Sequence, residues 1–163
     1  MAFTLATAQF KSNYGTFMTE LASGDAYDIS YWTCTDNNPN TGCLAHALGN
    51  TEIGDGPKYK GRGYTQLTGK YNYAREENRT GYPLINNPDL VAKEKHLSAD
   101  ILINGALNGV FRGKKLSDYD QPDGSFDFYN SRDIINDDVS ERGSSFASIA
   151  HSYLLIFNKY NYE

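Results

Sequence analysis

Between Gly61 and Thr68 the chain reads Gly-Arg-Gly-Tyr-Thr-Gln-Leu-Thr, the stretch best equipped for chemistry. Glycines on both sides of Arg62 let the backbone approach a ligand closely, and the polar side chains that follow can bond hydroxyl groups or hold a water. The plainer reading is that Arg62 and Gln66 brace the core by bonding buried carbonyls. Proton transfer needs a carboxyl group as well. Glu20 is a candidate donor nine positions beyond Lys11, although its plainer reading is a charge partner for Lys11 or a solvated helix-face charge. Lys11, with an ordinary pKa of about 10.4, is a poor acid at neutral pH. Cys34 and Cys43 enclose a polar loop, and His46 follows three positions later. Three potential ligands with no fourth in view do not make a zinc site, so no metal and no cofactor is expected. The two thiols stay free in a reducing cytosol and can pair in an exported chain.

The elements that must carry these residues are mostly helical. Phe3, Ala6 and Phe10 share one side of a helix over about Ala2 to Asn13, with Gly15 as its stop. Phe17, Met18 and Leu21 predict a second helix from Thr16 to Ala22. The glycine-, asparagine- and aspartate-rich run to Gly63 reads as a long irregular excursion, and long loops in compact domains are usually functional. Tyr64 to Tyr73 should be extended first and helical later. Asn87 is expected to cap a short helix with Pro88 in its first turn, and Ser98 another that stops at Gly109. Gly113 to Phe128 reads as loop and Tyr129 to Asn136 as helix. Ser144 or Ser145 should cap a last helix burying Phe146, Ile149, Ala150, Tyr153, Leu154 and Phe157.

Four stretches carry a resemblance. They are Leu5-Ala6-Thr7-Ala8-Gln9, the run from Gly54-Asp55-Gly56-Pro57 through Gly69, Asn87-Pro88-Asp89-Leu90-Val91-Ala92, and Gly113-Lys114-Lys115-Leu116-Ser117-Asp118-Tyr119. Together they resemble glycoside hydrolase family 19, which includes chitinases and many phage endolysins. The resemblance implies a mainly α (α+β), lysozyme-like fold with a small β element beside the cleft. It covers a single domain over 1–163, with an atypical insertion at about 29–47. In the family pattern the first stretch runs into His-Glu-Ser or His-Glu-Thr, whose Glu is the general acid; here Phe10-Lys11-Ser12 stands there. The base would come from a Tyr-Glu-Gly-Arg stretch, and Asp28 after Tyr27 is the matching carboxylate. Thr68 matches a residue that positions the attacking water, Gln66 and Tyr59 match cleft-lining residues, and Asn136 matches a sugar-binding asparagine. With Arg62 and Tyr64 these make the expected substrate-binding set. Asp137 and Asp138 replace two glycines of that last stretch, where their charge would disfavour an anionic glycan. Family members usually carry further helices ahead of the first, so the chain reads as a short form or as a domain of a longer protein.

Composition narrows the function classes. Fifteen basic residues against twenty acidic ones argue against nucleic acid, which draws on clustered Lys and Arg. No apolar run approaches the roughly 20 residues of a membrane span, and no leader pattern opens the chain. The expectation is a cytoplasmic protein without membrane insertion that would reach a cell wall by a holin-like route. Losing general-acid catalysis typically costs about 10²–10⁴ in rate. The reading is therefore a phage-derived pseudoenzyme that binds a host protein or a cell-wall glycan, with Tyr31 and Trp32 of the insertion as aromatic anchors. Two alternatives stay open. One is an active hydrolase of peptidoglycan or chitin, with Asp28, Glu20 and Thr68 as its catalytic residues; the other is a structural component of a phage particle.

Overall fold

The structure is a computed structural model and describes residues 1–29 and 44–160. It is mainly helical, with α1 (Ala2–Ser12), α2 (Leu44–Ala47), α3 (Asp55–Lys58), α4 (Lys70–Thr80), α5 (Leu90–Lys93), α6 (Lys95–Asn108), α7 (Phe128–Ser131) and α8 (Val139–Tyr160). Short 3-10 turns cover Asp25–Tyr27, Leu116–Tyr119 and Arg132–Ile134. Of the expected small β element, the described residues show only isolated bridges, Thr19 with Arg62, Arg62 with Leu67 and Asp120 with Phe126. Among the described residues, no helix is long and apolar enough to cross a membrane. The chain forms two compact units, one of Met1–Tyr14 with the described part of Asp100–Glu163, the other of Gly15–Ala99.

The first unit is built on α1 against α8. Ala2, Phe3 and Ala6 of α1 are buried with Phe146 and Ala150 of α8 and with Ala106, Tyr119, Phe128 and Ile134. The Phe3 and Phe146 rings meet edge-on at 5.5 Å. Full burial of a side chain such as Phe146 is worth about 1.5–3 kcal/mol, so this apolar seam is what holds α1 in place. The expected stop at Gly15 comes earlier. Asn13 and Tyr14 take left-handed backbone, φ 47° and 58°, and their N–H groups close onto Gln9 and Ala8 carbonyls at 2.9 and 3.3 Å, satisfying the last turn. Helix α8 begins at Val139 rather than at Ser144 or Ser145. The Asp138 carbonyl accepts the Arg142 N–H at 2.8 Å and starts the helix before either serine is reached. Gly143 lets the Tyr129 ring lie against α8, since a Cβ there would sit 2.9 Å from ring carbon.

The second unit has an aromatic contact in which Tyr59 and Tyr73 meet at 5.4 Å, and Leu67, Leu84, Val91 and Leu97 of the same unit are also buried. Arg62 of this unit is 5% exposed. Its Nε donates to Asp89 at 2.9 Å, and its Nη1 donates to the carbonyls of Lys58 and Lys60 and to the Tyr73 hydroxyl at 2.9–3.1 Å. The Tyr73 hydroxyl in turn donates to the Lys60 carbonyl at 2.8 Å. Burial pushes the Tyr73 phenol up to about 12, and the neighbouring Arg62 charge offsets part of that rise.

Three local expectations fail here for one reason: backbone pairing and tertiary bonds outcompete local propensity. Thr16 to Ala22 is not a helix. The Met18 carbonyl accepts the Gly63 N–H, and the Glu20 N–H donates to the Gly61 carbonyl, both at 2.8 Å, drawing the segment out alongside Gly61 to Gly63. The stretch from Tyr64 is a tight turn closed by reciprocal Arg62 and Leu67 bonds of 3.1 and 2.8 Å, and helix begins only at Lys70. Ser98 lies within α6 and caps nothing. Its hydroxyl accepts the Tyr64 N–H at 2.7 Å, under a glycine, Gly63, whose φ of 78° few other residues adopt. The short helix expected from Asn87 does form, but starts at Leu90.

Candidate functional site

In the second unit the polar groups gather on Gly61. Glu20 faces it twice: its N–H donates to the Gly61 carbonyl, and its Oε2 accepts the Gly61 N–H at 3.0 Å. Its Oε1 accepts the Tyr27 hydroxyl at 3.4 Å. A Cβ placed on Gly61 would lie 2.9 Å from Gln66 Oε1 and 3.3 Å from both Glu20 Oε2 and Thr68 Oγ1. A carboxylate, an amide and a hydroxyl thus converge on one bare Cα. Gln66 reaches this place through left-handed backbone, φ 56°. Its Nε2 donates to the carbonyls of Gly63 and Phe17 at 3.1 and 3.3 Å, and Thr68 Oγ1 donates to the Gln66 carbonyl at 2.9 Å. Burial, then the Glu20 charge, raises the Tyr27 phenol above its ordinary value.

Asp28 is anchored elsewhere in the same unit. It is 3% exposed, and its Oδ2 accepts the Gly54 N–H at 2.7 Å. Gly56 passes so close to the Asp28 backbone that a Cβ there would collide with it. Tyr59 is buried against Tyr73, its hydroxyl donating to the Ile85 carbonyl at 3.2 Å. Arg62 is likewise enclosed, while Tyr64 is half-buried at the turn. Tyr31 and Trp32, with Cys34 and Cys43, lie outside the described residues.

Two supporting residues escaped the sequence reading. Fully buried Asn50 donates to the Tyr27 carbonyl at 2.8 Å and accepts the Lys70 N–H at 3.0 Å, tying the Asp25–Tyr27 turn to the start of α4. Asp55 Oδ2 accepts the N–H groups of Thr51 and Glu52 and an ion pair from Lys70 at 3.0 Å. Lone polar residues in a polar stretch carry no periodicity, so only the Gly54-Asp55-Gly56-Pro57 match hinted at them.

Lys11 and Asn136 belong to the first unit. Lys11 lies in the last turn of α1, and Phe10 before it packs edge-on to Phe146 at 6.3 Å. Buried Arg132 grips Asp138 with two bonds, Nε to Oδ1 at 2.8 Å and Nη2 to Oδ2 at 2.9 Å. Arg132 foremost, and the charges of Lys11 and Arg142 after it, hold the Asp138 carboxyl below its ordinary pKa. Asp137 meets Arg112 at 3.2 Å. The two aspartates expected to repel an anionic glycan are therefore each paired with an arginine. Half-buried Asn136 donates its N–H to the Arg132 carbonyl at 3.2 Å. Among the described residues no group of His, Cys, Asp and Glu is placed to hold a metal.

The mainly helical architecture is that of the lysozyme-like class expected from the sequence. Comparison with known proteins sharpens this. The profile of the Chitinase class I family matches residues 2–107, and the chain belongs to that family, glycoside hydrolase family 19. Endochitinase A2 of Pisum sativum is 36% identical over 72 residues, 44% of this chain and 22% of that protein. Chitinase 3 of Oryza sativa subsp. japonica matches to the same extent. Inactive chitinase-like protein 1 of Hevea brasiliensis is 49% identical over 43 residues, 26% of this chain and 14% of that protein. The matched segment thus spans about a fifth of the pea and rice chitinases.

Proposed function

We propose that this chain is a catalytically silent, phage-derived member of the family that uses what remains of a glycan cleft to bind a glycan or a host protein. Position 11 carries the reading. The family pattern has its general acid where the stretch matching Leu5 to Gln9 runs on, and here Lys11 in the last turn of α1 stands at that place. An ammonium group with an ordinary pKa near 10.4 does not protonate a leaving oxygen at neutral pH. The relatives named chitinases suggest the glycan class, and one of the relatives is itself named inactive. The phage ascription rests on the resemblance to a family that includes many phage endolysins, and capture of a protein partner by Tyr31 and Trp32 belongs to the same proposal.

A hydrolase reading draws support from Glu20, whose carboxylate shares Gly61 with Gln66 and Thr68. In that reading Glu20 is the proton donor, Asp28 is the base, and the Thr68 hydroxyl positions the water. The deciding experiment is turnover of chitin and of peptidoglycan by the unaltered chain and by Lys11→Glu, beside retention on chitin beads. The expected result is retention without turnover for the unaltered chain. Turnover by the unaltered chain that disappears in Glu20→Gln overturns the proposal in favour of the hydrolase.

A further inference from the structure

The dipeptide Asn-Gly stands at two places in the chain, Asn104-Gly105 and Asn108-Gly109, four residues apart on the run of α6. A glycine leaves its own nitrogen open to the preceding side chain, because no Cβ stands in the way. The two pairs meet opposite surroundings. Gly105 is buried, and a Cβ on it would collide with the Phe111 ring. Asn104 before it is half-buried inside the helix. Asn108 is exposed and ends α6, and Gly109 after it turns into left-handed backbone, φ 70°.

We propose that Asn108 is a site of spontaneous covalent modification, deamidation through a cyclic imide, and that the fold withholds the same chemistry from Asn104. The Gly109 nitrogen attacks Asn108 Cγ. The new N–Cγ bond replaces the Cγ–Nδ2 bond, and ammonia leaves carrying the proton that the Gly109 nitrogen sheds. Water then opens the ring at either imide carbonyl and yields aspartate or isoaspartate, so one water enters for each ammonia released. Ring closure requires the asparagine to leave helical backbone. At Asn104 that breaks the roughly four i to i−4 bonds spanning a residue inside a helix. At Asn108 it gives up the Val110 N–H bond to the Gly105 carbonyl and the Asn108 Nδ2 bond to the Asn104 carbonyl, both 3.0 Å. Helix ends open in this way far more often than helix interiors. With each bond worth a factor of about five, the terminal pair should react at least about tenfold faster.

The product would set a carboxylate against the last carbonyls of α6, the negative end of the helix, and remove the donor that the Asn104 carbonyl accepts. An aged sample should therefore melt below a fresh one, and Asn108→Asp should melt below the unaltered chain. The deciding test incubates the whole chain in mildly alkaline buffer, folded and in denaturant, and locates the amide-to-acid mass gain by fragmentation mass spectrometry. In denaturant both pairs should convert at matching rates. In the folded chain Asn108 should convert at least about tenfold ahead of Asn104. Conversion of Asn104 in step with Asn108 in the folded chain overturns the proposal. So does a folded chain whose Asn108 stays intact over a time in which the denatured chain converts both pairs. Neither outcome depends on whether the chain binds or cleaves a glycan.

Discussion

Gly61 is the residue on which the second unit's polar groups depend, because Gln66 Oε1, Glu20 Oε2 and Thr68 Oγ1 would lie 2.9–3.3 Å from a Cβ placed there. In Gly61→Ala the added methyl meets the mobile ends of three polar side chains rather than backbone. They can swing aside, so the fold should survive with a Tm within a few degrees of the unaltered chain. The displaced groups no longer converge, and retention on chitin beads should fall at least about tenfold, equivalent to roughly 1.4 kcal/mol. Retention unchanged in a folded Gly61→Ala protein would place the glycan-binding surface elsewhere.

The turn carrying Arg132 and the start of α8 are joined by the Arg132–Asp138 pair, and removing one partner leaves the other exposed to the full cost of burial. Asp138→Ala strands a guanidinium whose side chain is 2% exposed, a loss of about 3–5 kcal/mol in chemical denaturation at pH 7. The sign of its pH dependence follows from the carboxyl pKa being held low. The contribution is complete above the unfolded value of about 3.9 and is lost as pH falls through the lower folded value. The stability gap between Asp138→Asn and the unaltered chain should therefore narrow between pH 5 and pH 2. The helices of this region also mark what sequence makes legible. The α1 and α8 faces were readable because Phe3, Ala6 and Phe10, and Phe146 and Ala150, repeat at helical spacing. The partners of Arg132, Asn50 and Asp55 were not, since a polar bond between distant residues leaves no period in the chain. The missing helix at Thr16 to Ala22 shows the converse: apolar spacing was present, and pairing with Gly61 and Gly63 overrode it. Of the site, the Gly61 to Thr68 stretch was legible through its glycines, while the convergence of Glu20 on Gly61 emerged only from the folded backbone.

At the scale of the whole molecule, the net charge of −5 bears on which glycan the proposed binding would suit. Chitin is an uncharged polymer, so retention on it should change less than about twofold between 0.05 and 0.5 M salt, where the Debye length shrinks from about 14 to 4 Å. Binding that strengthens several-fold with added salt would point to an anionic polymer whose repulsion salt screens. At the opposite end of the pH scale, Tyr73 supplies a natural dye. Its phenol, raised to about 12 inside the second unit, stays protonated while exposed tyrosines ionise near 10. A folded-state pKa raised in this way contributes stability that is whole below about pH 10 and is lost as pH climbs through about 12. Tyrosinate absorbs near 295 nm, so an alkaline titration should show a late rise in absorbance as Tyr73 ionises, coinciding with the loss of helical circular dichroism if opening of the unit exposes it. A Tyr73→Phe protein that keeps that late step unchanged would assign the signal to another ring.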